Sequence, residues 1–206
     1  MLRAKIIATG SYAPERKLTN FDLEKMMDTS DEWITERTGI KERRIAGEKQ
    51  STSDLAYEAS KAALKQAGLK AKDIDLIVVA TVTGDMPVPS TACLLQNLLD
   101  AKKAAAFDIN AACSGFIYGL SVADSFIRSG MYKRILLVGA ETLSKFTDWE
   151  DRTTCVLFGD GAGAVILEAA NGENGIVFTE MHSDGSLWEL LNLPGGGSKN
   201  PPTDCY

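Results

Sequence analysis

A chain of 206 residues that is 45% hydrophobic and 24% charged has the makeup of a globular protein with a substantial core, organised as one domain or two small ones. Its 22 basic and 28 acidic residues leave a formal charge of −6 without any basic tract, which argues against a nucleic-acid partner. The opening MLRAKIIATG turns polar after a short apolar patch, so it is neither a secretory h-region nor a membrane span, and a cytoplasmic location away from membranes is expected.

In chain order, residues 5–10 are the first of four apolar, β-branched runs; the others are 76–83, 104–109 and 134–140. Alternation of such runs with helical patterns predicts an α/β fold with a mostly parallel sheet. Between the first two runs, Thr29 with Glu32 fits a capping box that opens a short helix ended by Gly39. Trp33 and Arg37 share a face of that helix. An aromatic plane beside a guanidinium suits a flat base and a phosphate, although a surface tryptophan packed under an arginine stem explains the spacing more simply. Leu55, Ala59, Ala62, Ala63 and Gln66 fall at helical spacing after the capping candidates Ser51 to Ser53, and Gly68 stops that helix. Pro89 suits the first turn of the next helix, which carries Leu94, Leu95, Leu98 and Leu99.

The run at 104–109 leads through Asn110-Ala111-Ala112-Cys113-Ser114-Gly115 into a helix with Phe116, Leu120, Ala123 and Ile127 on one face and Gly130 at its end. That helix is apolar enough to be expected deep in the protein. A thiol at its amino end meets unsatisfied N–H groups and the positive end of the macrodipole, which favour thiolate and make Cys113 a candidate nucleophile. A buried structural cysteine is the alternative. Ser114 competes poorly, because Ala112 stands where a G-x-S-x-G elbow needs glycine. The single histidine, His182, precedes a Ser183-Asp184-Gly185 turn and nothing in the sequence brings it to the thiol.

The glycine-rich Phe158-Gly159-Asp160-Gly161-Ala162-Gly163-Ala164 is not G-x-G-x-x-G and leads into a strand, so tight backbone packing is the better reading. Residues 164–168 and 176–182 flank Asn171-Gly172-Glu173-Asn174-Gly175 and are expected to pair as an antiparallel hairpin. Beyond them a Gly- and Pro-rich tail leads to no further element, so the chain reads as a piece of a longer protein. Cys93, Cys113, Cys155 and Cys205 lack Cys-x-x-Cys spacing and are expected to be reduced, and no metal site is expected.

These residues together resemble the β-ketoacyl-[acyl-carrier-protein] synthase III family, the initiating condensing enzymes of fatty-acid synthesis, of the thiolase fold. The resemblance runs through Gly10-Ser11-Tyr12-Ala13-Pro14, the stretch from Trp33 to Arg44, Pro89-Ser90-Thr91-Ala92-Cys93, the Cys113 segment, Gly139-Ala140-Glu141, Asp151-Arg152 and the glycine run. It implies a layered αβαβα architecture of two similar halves and a homodimer, with residues 1–170 as the amino-terminal half and 171–206 as the start of the second. Cys113 is then the acyl-accepting nucleophile. Thr29, Trp33, Arg37 and Arg152 hold coenzyme A, while Leu143 and Phe158 line the acyl pocket and Val88 reaches into the partner's pocket. The substrates implied are an acyl-CoA and malonyl-acyl carrier protein, with no cofactor; a small Val88 suggests primers longer or more branched than acetyl. Lys41, Arg43 and Arg44 offer a basic surface for the acidic carrier, or simply a solvated turn. The family's catalytic histidine and asparagine match no residue here, so a chain ending at Tyr206 is not expected to complete the decarboxylative condensation. Another thiolase-fold acyl-CoA condensing enzyme, or a non-catalytic CoA-binding or dimerising module, are the competing readings.

Overall fold

A computed structural model describes residues 2–172 and 174–201, so Cys205 and Tyr206 lie outside the described residues. The elements are β1 (Leu2–Tyr12), β2 (Arg16–Thr19), α1 (Asn20–Leu23), α2 (Asp31–Thr38), β3 (Glu42–Ile45), α3 (Thr52–Ala67), β4 (Leu76–Ala80), α4 (Thr91–Leu98), β5 (Ala105–Ile109), α5 (Gly115–Arg128), β6 (Arg134–Thr142) and β7 (Asp160–Asn171). Local chemistry sets several of their ends. Ser51 and Asp54 bond each other's backbone across the first turn of α3, and Gly68 closes that helix in the left-handed conformation. The other helices differ in detail from expectation. Ser30, not Thr29, caps α2 by accepting from the Trp33 amide, and Ser90 caps α4, leaving Pro89 outside the helix after a cis Val88–Pro89 bond.

Five strands form one mixed sheet in the order β1-β7-β6-β4-β5, and β2 pairs with β3 as a separate antiparallel ribbon. The β4 ladders to β5 and β6 are parallel, whereas β7 runs against both β1 and β6. All the sheet strands except β7 therefore point the same way. β4 is buried on both sides: Ile77 and Val79 face α3 and α4, while Leu76 and Val78 face α5. That two-sided burial is why its sequence is continuously apolar rather than alternating. The described residues thus stack as three layers, helix on sheet on helix.

Contact between α3 and the sheet is closest at Gly10 of β1, where an added Cβ would stand 2.2 Å from the Ala59 carbonyl oxygen and 2.4 Å from the Ala63 nitrogen. Gly159, at the start of the glycine run, is also packed tightly, with Arg43 Cβ 3.1 Å from the position of a Cβ. The strand following it begins at Asp160, earlier than the sequence suggests. Asp160 is buried and joins three elements, accepting from the amide of Ala46 and from both the amide and hydroxyl of Ser144.

The expected hairpin does not form. β7 already has β1 on one side and β6 on the other, so neither edge is free for residues 176–182. Those residues are not a strand; the Ile176 amide donates to the Ala4 carbonyl, and the segment then crosses α5, where the Tyr118 hydroxyl donates to the His182 carbonyl at 2.7 Å. α5 also departs from expectation. Ala123 and Ile127 are buried, but Phe116 and Leu120 are only half-buried and Ile117 on the opposite side is 50% exposed, so the helix covers the sheet with one face.

Candidate active site at the carboxyl edge of the sheet

Strand register places the sequence-predicted residues on one edge. Ala80 lies opposite both Ile109 and Gly139, and Thr142 lies opposite Asp160, so the carboxyl ends of β4, β5 and β6 and the amino end of β7 coincide. Val88 follows β4, Cys113 follows β5, Leu143 follows β6 and Phe158 precedes β7. In open α/β sheets this is the edge where ligands bind, because the loops there leave a crevice above the strand ends. Leu143 and Phe158 are half-buried, whereas Val88 is 82% exposed.

Cys113 is exposed and lies in a one-turn 3₁₀ segment, Ala112–Ser114, that feeds directly into α5. Ala112 has φ of +45°, in the left-handed region that a Cβ disfavours. Such a conformation persists only where its surroundings hold it, and here it supplies the sharp turn from strand to helix that presents the thiol. Nothing in an alanine announces this, and sequence reasoning missed it. Ser114 occupies the cap position of α5 but makes no side-chain bond to its first turn.

Trp33 is half-buried, seated beside Ile34, Leu23, Cys155 and Val156. Two guanidinium groups lie on its ring: Arg37 at 4.5 Å from the centroid, from its own helix, and Arg152 at 4.8 Å, from the segment between β6 and β7. Arg152 is held by the Asp28 carbonyl at 2.5 Å and by the Asp28 carboxylate at 3.5 Å. Thr29, next to Asp28, has a buried hydroxyl oxygen without a hydrogen-bond partner. The structure therefore brings Trp33, Arg37 and Arg152 together, with Thr29 next in sequence to the residue that holds Arg152.

Cys155 is fully buried against the same cluster, its sulfur 3.4 Å from the Met27 thioether; burial, then the Asp151 carboxylate, push its thiol up. Cys93 is exposed.

The basic run departs from expectation at Arg43. Arg43 is only 4% exposed: its Nε and Nη2 donate to the Val156 carbonyl and its Nη1 to Asn20 Oδ1. Lys41 is paired with Asp31 at 3.1 Å, and Arg44 is engaged by Glu42 and the Pro14 carbonyl. Arg43 is thus an internal strut, whereas the Lys41 and Arg44 side chains keep 62% and 35% exposure beside their acidic partners. His182 is exposed and paired with Glu180 at 3.0 Å. Among the described residues no three His, Cys, Asp or Glu side chains gather where they would hold a metal ion, and no helix is long and apolar enough to cross a membrane.

The family of 3-oxoacyl-[acyl-carrier-protein (ACP)] synthase III matches residues 107–185. Over 200 residues the chain is 60% identical to a β-ketoacyl-[acyl-carrier-protein] synthase III of Caldanaerobacter subterraneus subsp. tengcongensis, an alignment covering 97% of this chain and 60% of that one. It is likewise 60% identical over 195 residues to the same-named protein of Xanthomonas campestris pv. campestris, covering 95% and 60%. Among solved structures, 3-oxoacyl-[acyl-carrier-protein] synthase III from Aquifex aeolicus VF5 superposes with a TM-score of 0.87 at 58% identity, over 89% of this chain and 59% of that one. The synthase from Pseudomonas aeruginosa PAO1 gives 0.89 at 43%, over 95% and 60%. The chain spans about 60% of the length of the curated relatives it matches.

Proposed function

We propose that this chain, which resembles the amino-terminal portion of β-ketoacyl-[acyl-carrier-protein] synthase III, carries the acyl-accepting half of an initiating condensing enzyme of fatty-acid synthesis. The observation that carries the reading is the indole of Trp33 under two guanidinium groups, one brought from far along the chain. An aromatic face with adjacent fixed cations suits adenine and the phosphates of coenzyme A. Thr29, Trp33, Arg37 and Arg152 would hold that end of the thioester.

The thiolate of Cys113 attacks the acyl carbonyl; the tetrahedral intermediate collapses by breaking the carbon–sulfur bond to coenzyme A, which leaves as a thiol after taking a proton. Backbone N–H groups at the start of α5 favour the oxyanion. Malonyl-acyl carrier protein then loses carbon dioxide, and its carbanion attacks the Cys113 thioester to release β-ketoacyl-acyl carrier protein, acetoacetyl from an acetyl primer, and restore the thiolate. Splitting the transfer in two gives ping-pong kinetics. The resemblance assigns carbanion stabilisation to a histidine and an asparagine that match no residue here, so the steps derived from this chain's own side chains end at the acyl enzyme.

The same reading makes Leu143 and Phe158 acyl-pocket walls and Val88 a determinant of primer size. It takes residues 171–206 as the beginning of a second half, the protein as cytoplasmic, and the active form as a homodimer. Support for a dimer lies in β5, an edge strand of the sheet, and in exposed Met86, Val88 and Leu98 on the segment that precedes it in the chain. The experiment is acyl labelling: the protein is incubated with acetyl-CoA carrying a radiolabelled acetyl group, quenched and digested. Label is expected on the peptide holding residue 113 and none in Cys113→Ala; label retained by that variant overturns the assignment.

A further inference from the structure

The apolar strands of the sheet end, on the edge that carries Cys113, in a layer of buried hydroxyls around one carboxylate. Glu141 stands near the end of β6, and its Oε1 accepts from the Val82 amide at 2.8 Å. Its Oε2 accepts from the Thr83 amide at 3.0 Å, from the Thr81 hydroxyl at 3.2 Å and from the Thr83 hydroxyl. Thr83 Oγ1 in turn accepts from the Thr142 amide at 2.8 Å, and Thr52 Oγ1 donates to the Thr83 carbonyl at 2.5 Å while lying 2.9 Å from Thr142 Oγ1. Thr52, Thr81, Thr83 and Thr142 are all buried. Hydrogen bonds to a charged acceptor in such surroundings are the strong ones, and a carboxylate that collects four donors has no neutral isostere.

What this clamp fixes is the chain just beyond β4, and the Cys113 turn rests on that same stretch from both sides. Before the turn, the Ile109 carbonyl accepts from the Thr81 amide at 3.2 Å. After it, Gly115 sits so close to Ala80 that a Cβ there would stand 3.1 Å from the Ala80 Cβ. Between these two anchors lie Ala112, in its left-handed conformation, and Cys113. Among the described residues Glu141 makes no hydrogen bond to the thiol or its turn; it holds the ledge on which both ends of the turn are fastened.

We propose that Glu141 is a positioning residue for Cys113, acting through residues 81–83 and the end of β4. The inference rests on the assignment of Cys113 as nucleophile but not on the identity of the thioester. Glu141→Gln presents an NH₂ donor to amide and hydroxyl donors, so the ledge must shift. Thr81→Val removes the hydroxyl that joins Glu141 to the end of β4 while keeping its shape, and covers the case in which Glu141→Gln fails to fold.

The test compares alkylation by iodoacetamide at Cys113 and at exposed Cys93, residue by residue, across a pH series in the intact protein. Because free iodoacetamide reads the access and the surroundings of the sulfur, both set by the turn, Cys113 should slow by about tenfold in Glu141→Gln and by about threefold in Thr81→Val. Cys93 should change less than about twofold, because the first turn of α4 is held chiefly through the Thr91 and Ala92 amides, which donate to the Asp108 carboxylate and not to Glu141. In acyl transfer, kcat should fall with KM for the acyl-CoA held, since Trp33 and Arg152 are untouched. An unchanged Cys113 rate in both variants, or equal slowing at both cysteines, overturns the proposal. If the wild-type protein alkylates at Cys113 but takes no acyl group from any acyl-CoA, the functional reading fails while the alkylation comparison still decides this one.

Discussion

The guanidinium of Arg152 rests 4.8 Å from the centre of the Trp33 ring and is tied there to the Asp28 carbonyl. A flat base stacked between the two needs about 7 Å, two layers at van der Waals spacing, so a base seated there would have to lift Arg152 outward by roughly 2 Å. Arg37, fixed by its own helix one turn from Trp33, need not move. Arg152→Ala should then weaken binding by about 1 to 2 kcal/mol, a 5- to 30-fold rise in Kd for coenzyme A with little change in kcat. Quenching of tryptophan fluorescence in a coenzyme A titration reads this directly; equal affinities would separate Arg152 from the ligand.

Gly10 and Ala59 set how closely α3 lies on the sheet. Because a Cβ at Gly10 meets backbone atoms rather than a flexible side chain, Gly10→Ala should cost about 3 kcal/mol or more. Gly163, on the neighbouring strand, has nothing within 4 Å of its Cβ position, and there alanine should be neutral or stabilise by about 0.5 kcal/mol through the unfolded chain. Urea unfolding of the two variants provides the comparison; similar midpoints would mean that α3 can shift freely.

How legible such contacts were follows the range over which each is decided. α3 could be read because Ser51 and Gly68 act within a turn of the helix they bound, and β4 because two-sided burial writes itself as an unbroken apolar run. The hairpin after β7 was misread because its turn signal is local, whereas β7 takes its partners from β1 and β6, distant in sequence and already complete. Arg43 read as surface because charge usually is; only the fold shows it satisfied by Val156 and Asn20. The strand-to-helix setting of Cys113 was legible, but neither the conformation of Ala112 nor the clamp at Glu141 leaves a pattern in the sequence. The Arg152 contact came from family resemblance alone, since spacing says nothing across that separation.

α1 offers a pH test. Hydrogen bonds from the Thr19 hydroxyl, then from its amide, with help from Lys25, lower the Asp22 carboxyl from 3.8 to about 2. A carboxyl depressed in the folded state adds stability above its unfolded value and loses it as the pH falls toward the folded one. The difference in thermal midpoint between wild type and Asp22→Ala should therefore be flat above about pH 5 and shrink between about pH 4 and 2. A gap that persists undiminished at the acid end would mean that the cap does not depend on charge.

Arg43 ties the segment between Arg152 and Phe158 to the start of α1. Its guanidinium holds the Val156 carbonyl, and Val156 lies between Arg152 and Phe158, while Nη1 holds Asn20 at the start of α1. Among the described residues no carboxylate pairs with it; carbonyl and amide oxygens do the work, so removing the group strands buried acceptors. Arg43→Lys keeps the charge but presents a single nitrogen in place of a fork, and should cost about 2 kcal/mol in urea unfolding with an unchanged m-value. Arg43→Met should cost more, about 3 kcal/mol, because both acceptors are left unpaired. Where the folded variants are assayed, KM for the acyl-CoA should rise with Arg43→Lys, because the segment carrying Arg152 and Phe158 loses its anchor. Wild-type stability together with wild-type KM in Arg43→Lys would show that the segment holds its place through the packing of Cys155 and Val156 alone.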